Sequence, residues 1–290
     1  MNITITGGTG FIGRKLEERL SADAHKVIVL SRSRGMRWEP MKEEPPAESL
    51  SSADAIVHLA GESVGQRWTP EAKAAIRESR VQGTRRLIQG LSTLSRRPAV
   101  LVSGSAIGIY GDRGDETLTE SSTPGSGFLP ELCTAWEREA DLAEALGIRV
   151  VKLRTGIVLG KGGGALEKML PPFKAFVGGR LGSGRQWMSW IHIDDLVGLI
   201  RFAIDQPLSG PVNGTAPNPV TNAQFTRELA SALGRPAIFP APALALKTLM
   251  GEMAGVLLES QKVLPKAALN AGYRFRFPEL GPALRDVLGG

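Results

Sequence analysis

Three glycines, Gly7, Gly10 and Gly13, stand where an apolar run ending at Thr6 gives way to a helical pattern opened by Phe11 and Ile12. Such bareness suits phosphate chemistry. A glycine at the turn takes backbone angles that other residues avoid. Missing Cβ atoms let a pyrophosphate approach the free amides of a helix N-terminus, and the last glycine lets helix and strand pack closely. Glycine triplets also occur in ordinary turns. Here strand, triplet, helix and second strand follow in the order that makes a dinucleotide site the reading. The second strand ends in "VLSRSRG". A site for NAD carries an acid there, roughly 20 residues past the glycines, to hold the ribose 2′-hydroxyl. Ser31 and Arg32 stand in its place, and the segment holds no acid. A carboxylate would repel a 2′-phosphate, whereas Arg32 attracts one with charge and a planar fork of donors, and Ser31 adds a hydroxyl. The expected cofactor is NADP(H); the bland alternative is a pair of arginines on a surface loop.

Other reactive side chains exclude function classes. Cys133 is the single cysteine, which rules out an internal disulfide framework, and nothing resembles a zinc cluster. His192 lies beside Asp194 and Asp195 in "WIHIDDL", but one histidine without further ligands does not make a metal site. That segment reads as a strand-to-helix junction in which Asp194 or Asp195 caps the helix, and no metal is expected. The net charge is +6. The Lys and Arg residues are scattered and mostly paired with Glu along helices, without an aromatic-basic ribbon, so nucleic acid is not an expected partner. No apolar run approaches the ~20 residues of a membrane helix. Met1 leads straight into a strand pattern, so no secretory segment is expected. The expected setting is the cytoplasm and the expected partner a small-molecule substrate; the sequence sets no oligomeric state.

The elements that must position these residues alternate. Asn2 to Thr6, "KVIVLSR", "DAIVHLAG", "PAVLVSGS" and "GIRVVKLRTG" read as five buried strands. Between them Phe11 to Leu20 has helical spacing, Thr69-Pro70-Glu71 starts a helix reaching about Leu94, and Leu129 to Leu146 is helical. Continuous apolar strands alternating with helices predict a parallel sheet covered on both faces, and right-handed crossovers make it doubly wound. The expected class is α/β, a Rossmann-type doubly wound parallel sheet with a smaller, mostly helical C-terminal domain. Residues 1–160 form the nucleotide domain, with elements around 186–215 returning to it. Residues 161–185 and 216–290 form the substrate domain. The Gly-rich segment 161–184 and the stretch from Trp187 to Trp190 are expected to line the substrate pocket.

"GGTGFIG", "HLAGE", "VQGT", "SGSAIGIYG" and "IHIDDL", in this order, resemble the extended short-chain dehydrogenase/reductase superfamily, in its NAD(P)-dependent epimerase/dehydratase group. "NGTAPNPVTNAQF", "SGRQWMSWIHIDDL" and "ESQKVLPKAALNAGYRFRFPEL" resemble an atypical branch whose members are called epimerase family proteins. The resemblance spans nearly the whole chain and implies a Rossmann-type domain with bound NADP(H). It places Gly7, Gly10, Phe11, Ile12 and Gly13 in the phosphate loop, and Ser31 and Arg32 at the end of the second strand. Leu59, Ala60, Gly61 and Glu62 fall beneath the cofactor, Arg80 in reach of its phosphate or ribose, and Ile157 in a loop over the nicotinamide end.

The resemblance implies a strand hydroxyl, at Ser105, that polarises the substrate oxygen. It also implies a Tyr-x-x-x-Lys pair on the next helix, the phenolate being favoured by the nearby Lys. This chain reads "LPELCTAWEREA", which puts Cys133 at the Tyr and Glu137 at the Lys. A carboxylate beside a thiol disfavours the thiolate, and cysteine is a common core residue. Tyr110, in the loop after the fourth strand, is the other acid/base or substrate-lining candidate. Where sugar-nucleotide epimerases carry a diphosphate-gripping Arg this chain has Met188, with Arg185 nearby. Two functions follow: an NADP(H)-dependent oxidoreductase or epimerase with a non-standard acid/base set, or a non-catalytic NADP(H)-binding redox sensor or regulatory interaction protein.

Overall fold

A computed structural model describes residues 1–289. Its strands are β1 (Asn2–Thr6), β2 (Lys26–Ser31), β3 (Met36–Arg37), β4 (Ala55–His58), β5 (Val100–Ala106), β6 (Thr117–Leu118), β7 (Arg149–Thr155), β8 (Ile157–Leu159), β9 (Trp187–Met188), β10 (Trp190–His192), β11 (Gly210–Gly214), β12 (Val220–Thr221) and β13 (Lys262–Val263). Seven of them form one all-parallel sheet in the order β11-β7-β5-β4-β1-β2-β3. Successive side chains on a strand leave by opposite faces, so apolar runs feed two cores. Val57 and Val102 pack with Leu16 and Leu20 of helix α1 (Phe11–Ala22) on one face, while Ile56 and Leu101 pack with Leu87 and Leu91 on the other. The chain is thus a doubly wound α/β sheet of Rossmann type with a largely helical C-terminal region.

Each expected strand is present. Two short elements after β2 went unforeseen: β3, and helix α2 (Ala47–Ser51), which buries Leu50. Helix α3 (Pro70–Ser92) starts as its cap predicts, with Thr69 Oγ1 accepting from the amide of Ala72 at 3.2 Å. Helix α4 (Phe128–Asp141) is shorter than the expected span, because the chain leaves the α-helix for a 3₁₀ turn at Glu144–Leu146, closed by Gly147 at φ +78°.

A separate core lies among the later elements. Leu166 and Phe173 of α5 (Gly164–Lys174), Phe225 and Leu229 of α7 (Asn222–Leu233), and Leu280 and Leu284 of the C-terminal helix enclose Met188 and Trp190. Strand β10 straddles the two cores, with Trp190 on the second and Ile191 on the first. Helix α6 (Ile193–Asp205) and β11 then rejoin the main sheet. Helix α8 (Ala243–Met250) buries none of its residues. No described helix is long and apolar enough to cross a membrane. Because all seven strands run parallel, their C-terminal ends share one edge, and ligands of such sheets bind in the crevice outside that edge.

Candidate cofactor and substrate site

The glycine turn sits on that edge between β1 and α1. Gly7 has φ +71°, and a Cβ there would lie 2.7 Å from the carbonyl carbon of Leu59; one on Gly13 would lie 2.3 Å from the oxygen of Gly7. Packing alone therefore requires these two glycines. Gly10 differs. It is exposed, at φ −74°, and a Cβ there would meet only the oxygen of Gly7, at 3.2 Å. It is the N-cap of α1, with no side-chain cap and no acid in the first turn. The open amides of this helix end are of the kind that suits an anion. The side chain of Phe11 packs under Gly160, Gly163 and Gly164, and Ile12 packs against the main core.

Arg32 is exposed at the end of β2, with no carboxylate partner among the described residues, whereas its neighbours Arg34 and Arg37 are paired with Glu17 and Glu39. Ser31 departs from expectation. Its buried hydroxyl donates to the carbonyl of Arg34 at 2.5 Å and accepts from the amides of Arg34 and Ser33 at 2.8 and 3.2 Å. It shapes the turn that displays Arg32 and has no free proton for a phosphate. Leu59 and Ala60 are tied to β1 through Thr6, and Gly61 is exposed. Glu62 gives its amide to Ser79 at 3.0 Å. Ile157 gives its amide to the carbonyl of Ser189 at 2.9 Å and its side chain to the second core, so its amide is not free for a cofactor.

A buried chain of polar groups occupies the place expected to do acid/base chemistry. Ser105 Oγ donates to Glu137 Oε1 at 2.6 Å, and a carboxylate can only accept. Arg154 grips the same carboxylate through Nε and Nη2 at 2.8 and 2.9 Å, and its Nη1 donates to the Tyr110 hydroxyl at 3.0 Å. That hydroxyl donates to Asn213 Oδ1 at 2.8 Å, and Asn213 Nδ2 donates to the carbonyl of Leu264 at 2.9 Å. Tyr110 is 0% exposed, its hydroxyl is used as both donor and acceptor, and burial raises its pKa. It therefore lines no cleft, contrary to the expectation for it. Cys133 is buried, and burial, with the field of Glu137 added, pushes its thiol up to about 12. It packs with Tyr110, Leu118 and Val263 as core. No signal in the sequence pointed to Arg154 or Asn213, because their partners Glu137 and Tyr110 lie on other elements, 17 to 103 positions away.

Arg80 lies half-buried on α3. Its Nη1 donates to the carbonyls of Glu62 and Ile76 at 2.8 and 3.2 Å, and its guanidinium lies 5.1 Å from the ring centre of Trp136. The junction before α6 is also corrected. His192 is the helix cap, its Nδ1 accepting from the amide of Asp194 at 3.1 Å, while Asp195 accepts from the amides of Arg276 and Phe277 at 2.7 and 2.8 Å. Met188 and Trp190, expected at the pocket wall, are core, with Trp190 Nε1 held by the carbonyl of Asn218 at 3.1 Å. Trp187 is partly buried and donates to Asp115 Oδ1 at 2.8 Å. Unforeseen contacts join the loop after β4 and the start of α3 to the later elements: Lys168 Nζ donates to the carbonyl of Gly65 at 2.6 Å, and Lys73 pairs with Glu252. No cluster of three or more metal-ligating side chains occurs among the described residues.

A parallel sheet with a glycine turn at its carboxyl edge, an unpaired arginine after β2 and a second core behind the crevice defines a dinucleotide-binding protein of the epimerase type. Residues 3–216 match the NAD dependent epimerase/dehydratase family, and the chain belongs to that family. Residues 241–287 match a domain of unknown function, DUF1731. The chain is 44% identical to the chloroplastic SDR39U1 homologue of Arabidopsis thaliana, over 99% of this chain and 87% of the relative. It is 39% identical to the epimerase family protein YfhF of Bacillus subtilis, over 99% and 98%. The crystal structure of human epimerase family protein SDR39U1 (isoform 2) with NADPH superposes with a TM-score of 0.91 at 36% identity, covering 100% of this chain and 99% of that one.

Proposed function

We propose that this protein is an NADP(H)-dependent oxidoreductase or epimerase acting on an unidentified small molecule at the carboxyl edge of the sheet, in the cytoplasm, without the Tyr-x-x-x-Lys pair. The observation that carries the reading is Arg32, a charge left unpaired at the end of β2 by a turn built around Ser31. An arginine fork there suits a 2′-phosphate. The related human protein crystallised with NADPH supports the same choice. Gly7, Gly10 and Gly13, with the amides of Phe11 and Ile12, cradle the diphosphate, and the backbone from Leu59 to Gly61 runs beneath the dinucleotide. Bound there, the nicotinamide ring supplies hydride transfer. Ser105 faces the reacting centre as a hydrogen-bond acceptor, because its one proton is committed to Glu137. It thus receives a proton-bearing group of the substrate rather than polarising a carbonyl, the reverse of the sequence expectation.

The second reading, a non-catalytic NADP(H) sensor, is favoured by the sealed Tyr110 and the protonated Cys133, which leave no phenol or thiolate to exchange a proton. One experiment separates the two. NADPH-loaded protein is mixed with a panel of small carbonyl compounds and the loss of NADPH absorbance is followed over a single turnover. Oxidation by one compound supports the enzyme. Tight NADPH binding with no oxidation across the panel supports the sensor, and failure to bind NADPH defeats both.

A further inference from the structure

Arg80 is a cation without a counter-charge. Its guanidinium lies flat beneath Gly61, where an added Cβ would stand 3.1, 3.2 and 3.3 Å from Cζ, Nη1 and Nη2. It also packs over the indole of Trp136. The Nη1 atom is held by the carbonyls of Glu62 and Ile76, while Nε and Nη2 make no hydrogen bond among the described residues. No carboxylate lies within ion-pairing distance of it among those residues either, although Glu62 acts on it at longer range. Burial lowers its pKa, the mark of a charge that has given up water without gaining a partner.

Two other arginines that meet α4 show what that free edge is for. Arg154 grips Glu137 through Nε and Nη2, and Arg85 grips Glu139 through the same two atoms. In each case the Nε/Nη2 edge holds a carboxylate side-on, the bidentate geometry a guanidinium favours. On Arg80 that edge is unfilled. The indole that Arg80 packs over carries a second unfilled donor, since Trp136 Nε1 is buried with no hydrogen-bond partner. Buried donors of this kind are otherwise satisfied in folded proteins. Apart from Glu62 at longer range, the surroundings supply no compensating charge. Glu137 is neutralised by Arg154, burial keeps the Cys133 thiol protonated, and burial lowers the His58 pKa to about 4, so that ring is neutral.

We propose that Arg80, with Trp136 Nε1, is the anchor for an oxyanion of the substrate, a carboxylate held side-on next to the position where the family's tyrosine is missing. The site then selects acids over neutral alcohols and ketones. This inference rests on the reading of the crevice as a substrate site. It replaces the sequence expectation that Arg80 serves the cofactor.

The test uses trifluoroacetate as the probe, followed by fluorine NMR line broadening on the full chain with and without saturating NADPH, with trifluoroethanol as the neutral control. NADPH binding is measured separately by its fluorescence. The expected result is trifluoroacetate binding that persists with NADPH bound, falls by about tenfold or more in Arg80→Gln, and falls less in Arg80→Lys and Trp136→Phe. Gly61→Ala is a second variant that keeps the charge but pushes the guanidinium out of place, and it should weaken the probe as well. Binding unchanged in both Arg80→Gln and Gly61→Ala overturns the proposal. So does displacement of the probe by NADPH, which would assign the edge to a cofactor phosphate. If NADPH fails to bind at all, the cofactor reading falls, while the Arg80 comparison on the free protein still decides this one.

Discussion

Replacing Arg154 by methionine should be among the most damaging single changes in the chain. Both Arg154 and Glu137 are 7% exposed, and two contacts of 2.8 and 2.9 Å hold the carboxylate almost entirely away from water. Removing one partner of such a pair strands the other charge, at a cost of about 3–5 kcal/mol. Arg154→Met also strips the Tyr110 hydroxyl of a donor and the carbonyl of Glu120 of a contact. Glu137→Leu should cost less than that upper figure, because Arg154 keeps those two acceptors. The double variant Arg154→Met/Glu137→Leu should be more stable than the sum of the single losses predicts, by about 2 kcal/mol or more, since neither charge is left alone. Urea unfolding of all four proteins closes the cycle, with the slope of each transition checked for constancy. A loss below about 1 kcal/mol for Arg154→Met, or strictly additive losses, would refute the view that this pair is a buried clamp where an acid/base pair was expected.

Gly10→Ala should fold normally, because its Cβ meets only one atom at 3.2 Å, yet lose about tenfold or more in NADPH affinity by titration; unchanged affinity would remove the anion role of the α1 terminus. Cys133 should resist iodoacetamide at pH 8 by about a thousandfold relative to a free thiol, because its pKa near 12 leaves so little thiolate, and rapid labelling of the folded protein would contradict its burial. His58 is buried between Thr6 and Thr84 and its pKa is lowered to about 4. The unfolded chain therefore takes up its proton first as pH falls below about 6.5, and stability should drop by about 2 kcal/mol between pH 7 and pH 5. His58→Gln should flatten that dependence; an equal drop in the variant would place its origin elsewhere.

The sheet was legible because its strands are continuous apolar runs with nearly no polar interruption, as in "AIVH" and "VLVS". The glycine turn was legible because its spacing is local. Contacts made by residues distant in sequence were not. Ser31 read as a phosphate ligand, since nothing in "SRSRG" tells that its hydroxyl closes a turn onto Arg34. Tyr110 read as a site residue, and its enclosure depends on Arg154 and Asn213, which are 44 and 103 positions away. Trp190 and Met188 read as pocket walls, because an aromatic in a Gly-rich stretch has no partner until α5, α7 and the C-terminal helix close around it. Glu137 was read from its motif position as a misplaced activator; Arg154, on β7, makes it half of an ion pair.

The central claim is that Arg32 selects the phosphorylated dinucleotide, and calorimetry with NADPH and NADH on the unmodified protein and on Arg32→Asp tests it most directly. The account predicts at least tenfold tighter binding of NADPH than of NADH, about 1.4 kcal/mol, and loss of that preference in Arg32→Asp. Equal binding of the two, or tighter binding of NADH, by the unmodified protein would contradict it.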